Sequence, residues 1–167
     1  MHVRDATDDD APALVDLFNA LIASTTVAWR DHEADETELR AGLADHRAAG
    51  QPWLVAEHDG EVVGYACWSD FRSTARFPGY RHTVEHTIHV RGDRHGQGVG
   101  RLLLGALIAE AERRDVHVMV AAIDADNLGS IAFHQRLGFD EVGRMHQVGR
   151  KFDRWLDLVL MQRTLTP

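Results

Sequence analysis

Three glycines, Gly96, Gly98 and Gly100, stand at alternate positions in the stretch RHGQGVGRLLL, which runs from Arg94 to Leu104. Glycine permits left-handed and closely approached backbone, and N–H groups turned inward at the start of a helix bind an anion. The spacing predicts a pyrophosphate loop or a plain helix-capping loop, and spacing alone favours neither. The stretch lacks the Gly-Lys-Ser/Thr ending of a P-loop and the full glycine pattern of a dinucleotide site.

The segment before this loop, RHTVEHTIHV, predicts a β-strand that carries one carboxylate on an otherwise neutral face. Glu85 shares that face with Thr83, Thr87 and His89, because side chains alternate along a strand. A carboxylate beside a possible anion-binding loop is a candidate general base. The plainer alternative is a solvated strand glutamate, which the pattern alone favours.

The histidines of this strand invite a metal hypothesis, which the strand geometry opposes. His82 and His86 are separated by about 13 Å along a strand, and His89 faces the other side, so one ion cannot bind all three. The sequence has no His-Glu-x-x-His motif and no cysteine pair, so we predict no metal. Cys67, the single cysteine, lies in an apolar run without a base at recognisable spacing, which indicates a buried structural thiol.

The elements that must position these residues alternate between strand and helix patterns. Strands are predicted at residues 2–5, in a hairpin around Asp59-Gly60, at RHTVEHTIHV and VHVMVAAI, and around GFDEVGRMHQVG and RWLDLVLMQR. Helices are predicted from Thr7 or Asp8 to about Ser24, over about 35–49, from the glycine loop to about Arg114, and over about 127–137. We therefore predict one α/β domain, residues 1–167, with a central, mostly antiparallel mixed sheet flanked by helices on both faces.

Composition narrows the function classes. The formal net charge of -8 argues against a nucleic-acid binder, which needs a basic face. The N-terminal stretch MHVRDATDDD lacks an apolar signal core, and no later stretch approaches a membrane-spanning length. A single cysteine precludes an internal disulfide. We expect a cytoplasmic protein that binds neither membranes nor nucleic acid.

The glycine loop and the later segment NLGSIAFHQRLGF together resemble the GNAT superfamily of N-acetyltransferases. The stretches NALIASTTVAW, GYRHTVEHTIHV and HQVGRKFDRWLDLVLMQ are similar to its phosphinothricin and methionine-sulfoximine acetyltransferase branch, nearly from end to end. The resemblance implies the GNAT fold, acetyl-CoA as cosubstrate, and acetylation of the α-amine of a small glutamine-like or methionine-like amino acid.

The same resemblance implies a set of cofactor residues. The glycine loop would bind the pyrophosphate, the Asn127 segment would flank the pantetheine arm, and backbone N–H groups of a bulged strand ending at Val90 would bind the oxyanion. His95 stands where the superfamily has Gln or Arg, so Arg94 or Arg101 could supply the cation. Asn127 also suits a plain helix cap. The implied residues are Ile88, His89, Val90, Arg94, His95, Gly96, Gln97, Gly98, Val99, Gly100, Arg101, Asn127 and Ser130.

Catalytic and substrate residues follow by resemblance and by chemistry. The resemblance favours Glu85 as a base that acts through a water, and places His134 where many members have a tyrosine near the thioester sulfur. His134 would protonate the thiolate or bond the cofactor; by sequence alone it is equally a surface helix residue.

A substrate carboxylate calls for a guanidinium, and Arg72 and Arg81 lie on the segment that enters the catalytic strand. The resemblance favours Arg72, and Tyr80 and Trp29 are candidate pocket walls.

Two alternatives to amino-acid acetylation stay open. One is acetylation of another amine, such as a polyamine, an aminoglycoside or a protein N-terminus; the two arginines favour a ligand with a carboxylate instead. The other is a non-catalytic acyl-CoA-binding sensor. The resemblance also implies a homodimer, which agrees with a closing strand, RWLDLVLMQR, that is apolar on both faces.

Overall fold

A single seven-stranded sheet forms the centre of the molecule, in a computed structural model that describes residues 1–165. The strands are β1 His2–Asp5, β2 Trp53–His58, β3 Glu61–Asp70, β4 Thr83–Val90, β5 Val118–Asp124, β6 Asp140–Lys151 and β7 Arg154–Thr164, in the order β1-β2-β3-β4-β5-β7-β6. β4 and β5 run parallel, and the other neighbouring strands are antiparallel. The predicted mixed, mostly antiparallel sheet is confirmed.

Helices cover both faces of the sheet, as predicted. They are α1 Ala11–Ser24, α2 Glu36–Ala48, α3 Val99–Arg113 and α4 Leu128–Arg136. α1 and α2 pack on one face against Val55, Tyr65 and Cys67, while α3 and α4 pack on the other around fully buried Leu103 and Phe139. Burial of each such large apolar side chain contributes about 1.5–3 kcal/mol. Within residues 1–165, no helix is both long and apolar enough to cross a membrane.

Local turn chemistry explains where the predicted boundaries are right and where one is wrong. Asp59 and Gly60 both have positive φ, 53° and 82°, and close the predicted β2–β3 hairpin. The first helix, predicted from Thr7 or Asp8, begins at Ala11, because residues 8–10 form a 3-10 turn. The Asp10 carboxylate accepts hydrogen bonds from the Arg4 guanidinium and from Thr7 N–H, which stabilise this turn directly before α1.

Strands β4 and β5 pair over only part of their length and then diverge. They pair from Thr83 to Glu85 on β4, opposite Val118 to Val120 on β5, and the pairing stops there. Beyond Glu85, backbone groups of β4 that point toward β5 have no strand partner in the described chain. The expected bulge in β4 is wrong, because its register with β3 is regular from Val84 to Val90. The cleft is thus made by divergence from β5 rather than by an extra residue in β4.

Candidate active site

A cavity of about 750 Å³ opens where the end of β4, the glycine loop and α4 meet. Of the residues predicted to bind the cofactor, all but Gln97 line it. The Gln97 side chain instead donates to the Asp93 carbonyl oxygen within the loop. The predicted members of the lining are Ile88, His89, Val90, Arg94, His95, Gly96, Gly98, Val99, Gly100, Arg101, Asn127 and Ser130.

The glycine loop has the geometry of an anion site. Gly96 and Gly98 adopt left-handed φ values of 74° and 85°, and Gly98 is the N-cap of α3. The N–H groups of the first turn have no partner within an α-helix, and the helix dipole places positive potential there. Gly100 is required for another reason: a Cβ there would lie 3.3 Å from the Phe133 ring, which packs α4 against the loop.

His95 has a structural role that the sequence did not reveal. Its Nε2 lies 2.9 Å from the Val90 carbonyl oxygen, which ties the loop to the end of β4. The neighbouring Arg94 has a buried Nε without a hydrogen-bond partner, and Arg101 is exposed at the start of α3. The two arginines are cations on the wall of the larger cavity, while His95 fixes the loop.

A second cavity, about 330 Å³, adjoins the first and contains Glu85. The two cavities share Val27, Ile88, His89, Asn127 and Ser130, so they meet where β4 and β5 diverge. Glu85 is half-buried on the wall of the smaller cavity, and burial raises the pKa of its carboxyl group. A raised pKa makes the carboxylate a stronger base.

His134 is buried, and both of its ring nitrogens have contacts. Its Nδ1 lies 2.7 Å from the Ser130 carbonyl oxygen, and its Nε2 lies 3.1 Å from Nε2 of His86. Burial lowers the pKa values of both imidazoles, that of His86 to about 3. His86, which also lines the smaller cavity, is a residue that the sequence analysis weighed only as a metal ligand.

Asn127 is the N-cap of α4, and it also lies at the junction of the two cavities. Its Oδ1 accepts a hydrogen bond from Ser130 N–H at 3.1 Å, which caps α4. This bond fixes Ser130 where both cavities meet.

The structure separates three predicted substrate residues from the Glu85 cavity. Arg72, Tyr80 and Arg81 lie exposed between β3 and β4, and none of them lines either cavity within the chain. The Arg72 guanidinium stacks 5.8 Å from the Tyr80 ring centre. Trp29 does line the smaller cavity, beside Arg30, a guanidinium that the sequence analysis did not select.

A lysine and a glycine of β6 anchor the segment that carries Trp29. Lys151 is buried, and its Nζ donates to the carbonyl oxygens of Ile22, Thr25 and Ala28 at 2.7, 2.8 and 2.6 Å. The Trp29 ring lies so close to Gly149 that a Cβ at that position would overlap it. Residues 25–30 are therefore held on β6; residues 27–30 line the smaller cavity, and Val27 also lines the larger one.

Metal and thiol chemistry find little support in the geometry. No group of three or more metal-binding side chains occurs among residues 1–165. Cys67 is buried, as predicted, and burial raises the pKa of its thiol to about 12. The protonated thiol is a poor nucleophile, so Cys67 serves the core.

A split parallel strand pair, a glycine-rich loop at a helix start and a half-buried carboxylate in an adjoining cavity fit an acyl-CoA-dependent acyltransferase. Residues 14–139 match the model of the acetyltransferase (GNAT) family, and the chain belongs to that family.

The chain is similar over nearly its full length to curated enzymes. It is 45% identical over 166 residues to the L-methionine sulfoximine/L-methionine sulfone acetyltransferase of Pseudomonas aeruginosa, covering 99% of this chain and 95% of that one. It is 40% identical over 164 residues to the phosphinothricin N-acetyltransferase of Alcaligenes faecalis, covering 98% and 82%. A putative acetyltransferase from Salmonella typhimurium, solved with its cofactor acetyl-CoA, superposes with a TM-score of 0.95 at 42% identity, covering 100% and 95%.

Proposed function

We propose that this protein transfers the acetyl group of acetyl-CoA to the α-amine of a small amino acid of the methionine sulfoximine or phosphinothricin type. The observation that carries the proposal is the junction of the two cavities at Ile88 and His89, with Glu85 on the acceptor side. The names of the similar enzymes support the substrate class.

The residues of the larger cavity fit acetyl-CoA. Left-handed Gly96 and Gly98, the free N–H groups that open α3, and the Arg94 guanidinium, whose Nε lacks a hydrogen bond and lies 3.7 Å from an Asp93 oxygen, all suit a pyrophosphate. When bound, acetyl-CoA supplies an activated acetyl thioester. The chain's part is to align that thioester with the amine.

Glu85 is proposed as the base that takes the first proton from the substrate ammonium, directly or through a water. An amine attacks only with a free lone pair, and the raised pKa of Glu85 improves its basicity. The unpaired backbone N–H groups of β4 beyond Glu85 are proposed to bind the developing oxyanion.

The carboxylate of the substrate requires a cation, and three arginines are candidates. Arg72 and Arg81, the sequence-derived candidates, lie outside the cavity, whereas Arg30 lines it and is bound to Glu38. Alanine variants of each, compared by KM for an amino acid and for its decarboxylated amine, identify the clamp. Removal of the arginine that binds the carboxylate raises KM for the amino acid and leaves KM for the decarboxylated amine unchanged.

The decisive experiment is a thiol-release assay with acetyl-CoA. The panel contains methionine sulfoximine, phosphinothricin, spermidine and an aminoglycoside, with Glu85→Gln as the matched variant of lowered activity. We expect turnover with the two amino-acid analogues only. Turnover confined to polycations would favour acetylation of another amine, and acetyl-CoA binding without turnover would favour the sensor alternative.

A homodimer in the cytoplasm completes the proposal. Leu158 and Leu160 of β7 are only half-buried, and Met145 and Trp155 are 46% and 61% exposed on the same hairpin. Burial of this exposed apolar surface against a second copy of the chain lowers the free energy of the assembly. Light scattering should give about twice the 18.7 kDa chain mass, and a monomer would contradict the dimer. Cell fractionation tests the location.

A further inference from the structure

Two imidazoles meet at the wall of the acceptor cavity, His86 from β4 and His134 from α4. Their Nε2 atoms are 3.1 Å apart and both residues are buried. Each Nδ1 also faces a backbone carbonyl oxygen, that of Val120 at 2.9 Å from His86 and that of Ser130 at 2.7 Å from His134. These three contacts call for three protons, but two neutral imidazoles carry only two. The number of contacts therefore restricts where the protons lie.

Either neutral arrangement leaves one bare Nδ1 against a carbonyl oxygen, but one of them also gives that bare nitrogen a hydroxyl donor. His86 carries its proton on Nδ1 and donates it to Val120, so its Nε2 is an acceptor. His134 then carries its proton on Nε2 and donates to His86. The bare Nδ1 of His134 accepts from the Ser130 hydroxyl, whose Oγ lies 3.3 Å away.

The opposite arrangement is worse for a specific reason. If His134 carried its proton on Nδ1, His86 would have to carry its own on Nε2, and the bare Nδ1 of His86 would face the Val120 carbonyl oxygen. The structure places no hydroxyl or amide donor beside that nitrogen, in contrast to Ser130 beside His134. The Ser130 hydroxyl beside His134 thus favours the arrangement with His86 protonated on Nδ1 and His134 on Nε2.

We infer that Ser130, His134 and His86 form a proton shuttle, in which Ser130 meets the reacting atoms and His86 is the positioning residue that sets the tautomer of His134. Ser130 lines both cavities, and with its proton directed at His134 its Oγ turns lone pairs toward their junction. The inference rests on the proposed function, because it assigns a path for the second proton of the amine.

The proton balance is as follows. After Glu85 takes one proton from the ammonium, attack on the thioester gives a tetrahedral intermediate with a surplus proton on nitrogen. That proton passes to Ser130 Oγ while the Ser130 proton moves to Nδ1 of His134. As the carbon–sulfur bond breaks, the thiolate takes a proton from Ser130 Oγ, and His134 returns one to Ser130. Nitrogen has lost two protons: sulfur has gained one, and Glu85 holds the other until it releases it to water, so no other reactant is consumed.

The structure accommodates the transient charge on the pair. Once Nδ1 of His134 is protonated, it donates to the Ser130 carbonyl oxygen at 2.7 Å, and the proton between the two Nε2 atoms is shared with His86. Because burial lowers the pKa values of both rings, the proton is held only briefly. These properties suit a shuttle better than a permanent acid.

The first test reads the tautomers directly, without turnover. The wild-type protein, with ¹⁵N-labelled histidine, is studied by NMR at neutral pH, and the signals are assigned with His86→Phe and His134→Phe. We expect His86 to carry its proton on Nδ1 and His134 on Nε2. The reversed tautomers, or a His134 that is cationic at neutral pH, would overturn the inference.

The second test asks whether Ser130 and His134 act together. Ser130→Ala and His134→Gln should each lower kcat about 10- to 100-fold, with the KM for the amine unchanged, and the double variant should be no slower than the slower single one. His86→Phe should lower kcat likewise, and exposed Ser73→Ala serves as the control. The shuttle would be refuted if the kcat losses of Ser130→Ala and His134→Gln multiplied in the double variant, or if either single variant left kcat unchanged. A wild-type protein without acetyl transfer would refute the proposed function, while the NMR result would stand by itself.

Discussion

Replacing Lys151 with methionine should loosen the segment that carries Trp29 and destabilise the whole protein. The ammonium donates three hydrogen bonds to Ile22, Thr25 and Ala28, which join β6 to the end of α1 and the following loop. Methionine keeps the length of the side chain and removes all three donors. The three carbonyl oxygens would then point at an apolar group.

The magnitude follows from the contacts. A hydrogen bond to a charged group contributes about 1.5–3 kcal/mol, but the three are not additive, and water can reach the two partly buried carbonyls. The desolvation of the ammonium also offsets part of the gain. We expect a loss of about 2–4 kcal/mol in the free energy of unfolding. For a chain of this size that corresponds to a fall in Tm of about 4–16 °C.

The assay combines stability with function. Urea and thermal unfolding are followed by circular dichroism, and KM for the amine is measured beside KM for acetyl-CoA. Arg154→Met is the matched control, because Arg154 forms an exposed ion pair with Asp126 and should cost less than about 1 kcal/mol. If Lys151→Met unfolds within 1 °C of the wild type, the three hydrogen bonds contribute nothing net and the reasoning is refuted.

Three further predictions concern other contacts. Gly149→Ala should raise KM for the amine because the new methyl overlaps the Trp29 ring, and Trp29→Leu added to it should restore part of the loss; an equal KM in both variants would contradict the packing argument. The acidic limb of the kcat/KM profile should lie above the ordinary carboxylate range, since burial raises the pKa of Glu85, and Glu85→Gln should lower kcat about 100-fold and abolish that limb. The hydrogen bonds from Arg4 lower the pKa of Asp10. Their contribution to the free energy of unfolding is therefore complete above the ordinary aspartate pKa and is lost as the pH falls through the lowered pKa. The free energies of unfolding of the wild type and Asp10→Asn, measured by urea titration, should converge in acid.

The sequence specifies the cofactor loop well because its geometry is local. Gly96 and Gly98 need left-handed backbone whatever lies elsewhere, and the strand before them and the helix after them follow from short-range patterns. The same holds for Glu85, whose face of β4 is set by alternation. Each of these features depends on residues within one strand, loop or turn.

Contacts between distant segments could not be predicted in this way. His86 meets His134 across 48 residues of sequence, and Lys151 reaches Ile22 across 129, so no local pattern joins either pair. Arg81 is close to Glu85 in the sequence, but it ends the 3-10 turn that precedes β4 and lies outside the cavity. Arg30 lies on its wall only because the fold brings the segment after α1 across the sheet.

Lys151 is the only lysine in the sequence, and all other side chains with a permanent positive charge are arginines. An enzyme that handles a reactive thioester in solution exposes its own amines to stray acylation. Here the one ε-amine is buried against three carbonyl oxygens, and guanidinium groups are poor acyl acceptors. Amine-directed reagents should therefore reach Lys151 only on unfolding. The folded chain therefore exposes no lysine amine that could compete with the substrate for the acetyl group.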